Sequence, residues 1–314
     1  MRKFLIRRSL GALLVMWAVA TLVFFMLRAV PGDPFLAMMR DADPAAAVQM
    51  RRDFGFDQPV YIQYVKYFAQ AVQGNLGTSI YGSRVGVVRI IQEAFPRTIS
   101  LASVAFLLAI VIAIPAGLIS ALRKHSKLDH TVTFIAFLGL SMPDFWLAIL
   151  LIIVFAAKLH WLPAVGYVPL AEGFWPWFSH LILPSIAIGA PFAAVIARMI
   201  RSSMLEVLKT EYMRVATSKG LPARRLIFTH AFRNALIPVI TVMGISIALL
   251  MAGTVVVENV FAIKGLGRVL IQGILNRDYP VVQGAILVVT AIFVLSNLLV
   301  DVAYTMIDPR VRYD

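Results

Sequence analysis

Six runs with almost no charge, each long enough to cross a bilayer, constrain this chain more than any other feature. They cover residues 9–27, 98–122, 131–157, 181–197, 234–257 and 279–300, and the third is interrupted only by Asp144. A spanning helix needs about 20 predominantly apolar residues. One such run is compatible with a buried helix of a soluble domain, but six in one chain are not. The expected fold is therefore all-α: a polytopic membrane protein of about six transmembrane helices, embedded in a lipid bilayer.

Composition agrees and explains the charge. Only 14% of residues are charged and 60% are hydrophobic, whereas soluble domains carry about 25% charged residues. The net charge of +13 invites a nucleic-acid reading, but the basic residues cluster between apolar runs instead of building one basic face. No nucleic-acid partner is expected. The chain has no cysteine and five histidines, so disulfides and thiolate metal sites are excluded. His125 and His130 are near enough in sequence to share a site. A short polar loop is the simpler home for them, and no metal or cofactor is expected.

The first run follows Arg2, Lys3, Arg7 and Arg8 and is followed directly by Arg28. Its apolar stretch exceeds the 7–15 residues of a cleavable secretory signal, so it reads as an uncleaved anchor. Lysine and arginine in short loops set orientation. The N-terminus is basic, loop 123–130 holds Arg123, Lys124 and Lys127, segment 198–233 holds eight basic residues, and the tail holds Arg310 and Arg312. The alternate loops are poorer, with Lys158 in one and Lys264, Arg268 and Arg277 in the other. Both termini are expected in the cytoplasm. Pro115, Pro143, Pro184 and Pro191 fall in or near spans, where neighbouring helices re-satisfy the backbone groups they free. Kinked helices around a pathway and simple helix packing explain them equally well.

Two segments outside the membrane carry more structure than connectors need. Residues 29–97 read as a small extracytoplasmic lobe. In it, Phe54, Phe56, Val60, Tyr61, Tyr64, Tyr67 and Phe68 recur at helix-like spacing around Gln58-Pro59. Pro31-Gly32-Asp33-Pro34 and Gly74-Asn75-Leu76-Gly77 are turn chemistry. The lobe either merely caps the bundle or offers a docking surface or a mouth to the pathway.

Loop 198–235 is expected to be helical twice. Leu205, Leu208, Tyr212, Val215 and Ala216 share one face at a period near 3.6. Gly220 ends that helix as a C′ residue, and Leu221-Pro222 opens a second short one led by Arg224 and Arg225. The first helix either lies on anionic lipid or docks its apolar face into a partner's groove.

At this loop the sequence resembles a known family. Glu211-Tyr212-Met213-Arg214-Val215-Ala216-Thr217-Ser218-Lys219-Gly220, with His230-Ala231-Phe232-Arg233-Asn234-Ala235-Leu236-Ile237-Pro238 after it, is similar to the cytoplasmic "EAA" signature of ATP-binding-cassette importer permeases. It most resembles the dipeptide, oligopeptide and nickel branch. Val215 stands where the general pattern has its first alanine, and the stretch from Gly220 to Pro238 is longer than in sugar permeases; both features resemble this branch. Weaker matches follow in order along the chain. They are Arg28-Ala29-Val30-Pro31-Gly32-Asp33-Pro34, Gly55-Phe56-Asp57-Gln58-Pro59, Gly74-Asn75-Leu76-Gly77-Thr78-Ser79, Phe261-Ala262-Ile263-Lys264-Gly265-Leu266-Gly267, Arg277-Asp278-Tyr279-Pro280 and Asp308-Pro309-Arg310-Val311-Arg312.

The resemblance implies a permease of the bacterial inner membrane that catalyses no reaction itself. Two permeases, identical or not, would form the path, two ATPase subunits would hydrolyse ATP in the cytoplasm, and an extracytoplasmic binding protein would deliver cargo. The absence of any G-x-x-x-x-G-K-[ST] phosphate loop suits that division of labour. Short peptides are the first substrate class it implies, with nickel complexes or glutathione-like compounds next. It divides the chain into a tail and first span (1–28), the outer lobe (29–97), a five-helix core (98–307) containing the coupling loop 198–235, and a short cytoplasmic tail (308–314). The ATPase-coupling residues it points to are Glu211, Tyr212, Arg214, Ala216, Lys219, Gly220 and Arg224, with Arg214 and Lys219 facing acids of the ATPase.

Acids inside spans are costly and often functional. Asp144 follows Ser141-Met142-Pro143, at an expected helix break, and is a candidate for the translocation pathway. Glu258, at the outer end of the fifth run, is a second candidate, although by position it and Asp301 are expected to meet the membrane interface. The same acids would serve the rival reading, an ion-coupled secondary transporter, in which a twice-helical cytoplasmic loop has no task. A membrane-anchored docking protein is the third reading.

Overall fold

The computed structural model describes residues 2–31, 44–81 and 84–307. The turn at Gly32-Asp33-Pro34 and the tail motif at 308–312 lie outside the described residues, and so does the Asp301 side chain. Among the described residues no strand forms; the only β pairing is an isolated bridge between Thr78 and Gly86. Five helices are long and apolar enough to cross a membrane, or six when one bent pair is counted as a span.

The chain divides into two compact units. Unit 1 takes Met1–Thr98 and Lys264–Ile292, and unit 2 takes Ile99–Ile263 and Phe293–Asp314. The elements of unit 1 are α1 (Arg2–Ala29), α2 (Pro44–Asp53), α3 (Val60–Val72) and the start of α4 (Val87–Leu122). Unit 2 contains the rest of α4, then α5 (Lys127–Ser141), α6 (Asp144–Leu151) with a π-helical continuation, α7 (Phe174–Leu208), α8 (Glu211–Ser218) and α9 (Arg233–Val260). Back in unit 1 come α10 (Leu266–Leu275) and the first part of α11 (Tyr279–Ile307).

In unit 1 the aromatic spacing after Gln58-Pro59 does form a helix, α3, which packs along the end of α1. Tyr64 Oη lies 2.9 Å from Thr21 Oγ1, and the Phe24 ring meets the Tyr64 and Tyr67 rings at 5.3 and 5.8 Å. Burial there pushes the Tyr67 phenol up to about 12, with Arg28 opposing, so it stays neutral. Arg28 closes α1 by donating from Nε and Nη2 to Gln63 Oε1 at 3.0 and 2.8 Å. Its guanidinium also sits 3.4 Å from the centroid of the Phe24 ring. A half-buried cation is thus matched by an amide oxygen and an aromatic face. At the start of α11, Asp278 accepts from Ser79 Oγ, from the Ile80 and Tyr81 amides at 3.2 and 3.3 Å, and from Val281 N at 3.4 Å. One buried carboxylate therefore caps α11 and pins the segment that follows α3.

In unit 2, α7 is the central element: 61% of its most apolar stretch is buried, against 35% for that of the span containing α9. Its inner face, which includes Ile188, Ile196, Ile200 and Met204, is fully enclosed, with α5, α6 and α9 packed around it. Lipid tails are as apolar as leucine, so helix association in a membrane relies on close van der Waals fit. Small residues supply that fit. Ala105, Ala109, Ala113 and Ala121 are buried along α4 at four-residue spacing, with Gly117 continuing the row. A Cβ at Gly117 would stand 2.7 Å from the Ala197 carbonyl oxygen, and one at Gly189 would stand 2.9 Å from that of Ala105. The backbones of α4 and α7 therefore touch.

The third apolar run breaks where the sequence places a helix break, and more sharply than a kink. Its two halves meet at 108°. Met142, preceding proline, is extended (φ −88°, ψ 129°), and Pro143 itself (φ −61°, ψ 139°) starts the next helix. Proline disfavours the α region for the residue before it and donates no amide, and with Met142 extended the break expected at Asp144 becomes a sharp bend. Pro184, Pro191 and Pro238 lie inside continuous helices. The Glu258 side chain is completely enclosed.

Candidate coupling site

The site begins where α7 stops. Thr210 is extended (φ −69°, ψ 149°), and its Oγ1 donates to Val207 O at 2.7 Å, closing the last turn of α7. Helix α8 then starts at Glu211, whose acid suits a helix N-terminus. Met213 and Ala216 are 2% and 6% exposed and tie α8 to unit 2, where Met213 joins the same apolar cluster as Ile200 and Met204. Tyr212 and Val215, at 51% and 54%, face outward, as does Phe228 at 53%.

Two details of the sequence reading change here. Leu205 and Leu208 belong to α7 and not to the helix of Tyr212, Val215 and Ala216, because the extended Thr210 separates them. The 3.6 period ran across a break that it had no means of registering. Within α8 the inward face is Met213 and Ala216, which leaves Tyr212 and Val215 uncovered. The second short helix is also not separate. Pro222 caps a helical turn, Ala223–Arg225, that runs through the π-helical Leu226–Phe232 directly into α9.

Gly220 turns the chain between these helices at φ +73°, with nothing within 4 Å of a Cβ built there. Its amide donates to Thr217 O at 2.9 Å. The requirement is thus on the backbone alone, a left-handed residue just past a helix end. Tyr212 Oη and His230 Nδ1 share a hydrogen bond that holds α8 to the π-helical stretch. Arg214 pairs with Glu211 at 2.9 Å, both side chains being largely exposed; such a pair contributes little to stability. Lys219 and Arg224 are exposed. The seven residues singled out from sequence therefore lie on one continuous stretch, six with solvent-facing side chains or backbone and Ala216 as an anchor. Asp144 opens α6, half-buried, at the bend, and Glu258 lies in the last turn of α9.

Sequence reasoning missed a second node, centred on Asp129. Arg201 of α7 donates to both of its oxygens, Nε to Oδ1 and Nη2 to Oδ2, each at 2.8 Å. Ser120 Oγ of α4 donates to Oδ1, and the His125 amide donates to Oδ2 at 3.0 Å. The Asp129 amide in turn donates to Ser126 Oγ at 3.3 Å. One enclosed carboxylate thus joins α4, the loop after it, α5 and α7, and α7 leads straight into α8. The signal was present: Ser126-Lys127-Leu128-Asp129 has the S-x-x-[DE] spacing of a helix start.

Comparison with known proteins decides the family. Residues 113–313 match the model of the binding-protein-dependent transport system inner membrane component, and residues 1–102 match its N-terminal partner model. The chain belongs to this family. A putative peptide transport system permease protein of Brucella abortus is 43% identical, covering 100% of both chains. The oligopeptide transport system permease protein AppB of Bacillus subtilis is 38% identical, again covering 100% of both. The di/tripeptide transport system permease protein DppB of Pseudomonas aeruginosa is 40% identical over 98% of both. Among solved structures, a chain of the inward-facing MetNI methionine ABC transporter aligns with a TM-score of 0.58 at 17% identity, covering 70% of this permease and 96% of that chain. At that identity the likeness concerns the fold alone. The permease is a multi-pass membrane protein of this transport family.

Proposed function

We propose that the chain is the pathway-forming permease of an ATP-driven importer of short peptides, and that α8 is the element through which ATPase subunits drive it. The family and the peptide-permease names of its full-length relatives support the transport role and the cargo class. The observation that carries the coupling role is the arrangement of α8. Two small or flexible apolar side chains, Met213 and Ala216, fasten it to the bundle, while Tyr212, Val215 and nearby Phe228 stand uncovered. An amphipathic helix with its outer apolar residues free is suited to a hydrophobic groove on a partner. Lys219 and Arg224 are exposed on the same stretch, and with Arg214, once drawn away from Glu211, they would complement an acidic rim on the ATPase. Closure of two ATPases would move α8, and α7 with it, as a rigid body.

In this reading loop 198–235 and both termini face the cytoplasm, residues 29–97 face an extracytoplasmic binding protein, and a second permease completes the path. ATP hydrolysis belongs to the partner subunits.

Val215→Asp is the direct test. The side chain is exposed, so the variant keeps its fold, but an acid would be buried at the docked face. We expect ATP-driven peptide uptake in proteoliposomes to fall more than about tenfold, as for a central interface residue, with less ATPase co-purifying. Uptake that stays at the wild-type level, or that runs on an imposed ion gradient without ATPase, would overturn the coupling role.

The half-buried Asp144, on the first turn after the 108° bend, is proposed to face the pathway. Asp144→Asn should lower uptake several-fold while the assembled complex still purifies intact. Full uptake would remove it from the path.

A further inference from the structure

A cleft of about 620 Å³ lies where α5, α7 and α9 meet beside the loop after α4. The size is typical of a small-molecule site, but its chemistry is divided. Arg198, His125 and His130 line it together with the Asp129–Arg201 pair. Asp129 is the one carboxylate there, and it is fully engaged by Arg201, Ser120 and the His125 amide. Arg198 is exposed and none of the ion pairs among the described residues involves it. Its guanidinium is 5.5 Å from the centroid of the Phe137 ring. The imidazoles of His125 and His130 are exposed as well, and each can offer an N–H donor. An unneutralised cation with two donors lining the same cleft calls for an anion.

The remaining wall is apolar. Phe137 is 53% and Val195 38% exposed, and Val242 adds to the lining. A small soluble anion would satisfy Arg198 but leave this wall in water. An amphiphile satisfies both parts. The loop beside the cleft adds Arg123, Lys124 and Lys127, all exposed, on the side assigned to the cytoplasm by its basic residues. Basic clefts between membrane helices on that side hold anionic headgroups.

We propose that this cleft binds an anionic phospholipid, its phosphate held by Arg198 with His125 and His130, and its acyl chain laid along Phe137 and Val195. Neither Arg198 nor the histidines belong to α8, so this site stands or falls apart from the coupling reading. An occupied cleft would hold α5 against α7 at the end where α7 leads into α8.

The experiment is native mass spectrometry of the full-length permease, purified with whatever subunits accompany it, after equilibration with phosphatidylglycerol or phosphatidylcholine. Wild-type protein should retain phosphatidylglycerol preferentially. Arg198→Gln should lower that retention about fivefold, the effect of one cation at a membrane surface, and Arg198→Lys should keep most of it. Thermal unfolding in phosphatidylcholine alone should be the same for all three, which separates lost binding from lost folding. If Arg198→Gln does not fold, the wild type decides: phosphatidylglycerol should raise its unfolding midpoint and millimolar inorganic phosphate should not. Equal retention by Arg198→Gln would overturn the proposal. Protection by inorganic phosphate matching that of the lipid would overturn it too, by showing a soluble-anion site.

Discussion

Arg201→Ala is expected to destabilise the helical bundle by about 3–5 kcal/mol, the usual cost of removing one partner of a buried ion pair. The Asp129 side chain is 4% exposed, and that of Arg201 is 30% exposed. Removing the arginine therefore leaves an enclosed carboxylate with its paired charge gone and only the Ser120 hydroxyl and His125 amide as donors. Asp129→Ala should cost less, because the long arginine stem can carry its head to water once released. The double replacement of Asp129→Ala with Arg201→Ala should cost less than the two single losses summed, since no charge is then stranded. Unfolding of the four proteins in detergent, read as a double-mutant cycle, measures this. Purely additive losses would show that the pair is not coupled and that the four-way junction at Asp129 is only packing.

The second large effect concerns Gly117. Gly117→Val should destabilise by about 3 kcal/mol, at the upper end of overpacking costs, and Gly117→Ala by less. The reason is the kind of atom that would be struck. A Cβ at this position would lie 2.7 Å from a backbone carbonyl oxygen of α7 and 2.7 Å from Ile200 Cβ. Neither can swing aside as the tip of a side chain does, so α4 and α7 must separate along their length. Gly11→Ala is the matched control, because nothing lies within 4 Å of a Cβ there, and it should change stability by less than about 0.5 kcal/mol. Equal midpoints for the Gly117 and Gly11 variants would mean that α4 and α7 are not in contact.

Both nodes left marks in the sequence that were readable but ambiguous. The alanines at 105, 109, 113 and 121, with Gly117, form a four-residue repeat of the kind that lets membrane helices approach. The repeat says that some helix comes close; it does not say that the helix is α7. Ser126-Lys127-Leu128-Asp129 marks a helix start, but its carboxylate meets Arg201 seventy-two positions away, and no local pattern announces that pairing. The coupling stretch shows the opposite error. Its apolar period was read correctly and extended too far, across Thr210, because a break of two residues hardly disturbs a 3.6-residue rhythm.

What the sequence by itself determined is what lipid imposes on each segment alone. Runs without charge must become helices that satisfy their own backbone, Met142-Pro143 disposes one of them to break, and Gly220 suits a left-handed turn past a helix end. These are local demands, met by neighbouring residues wherever the segment lies. What only the tertiary structure decided is which faces meet: that Met213 and Ala216 turn inward while Tyr212 and Val215 stay uncovered, that Glu258 is enclosed, and that Arg201 grips Asp129. Those outcomes depend on contacts between residues far apart in sequence. In a chain so uniformly apolar, many pairings would bury oil equally well, and steric fit together with the pairing of a few charges selects among them.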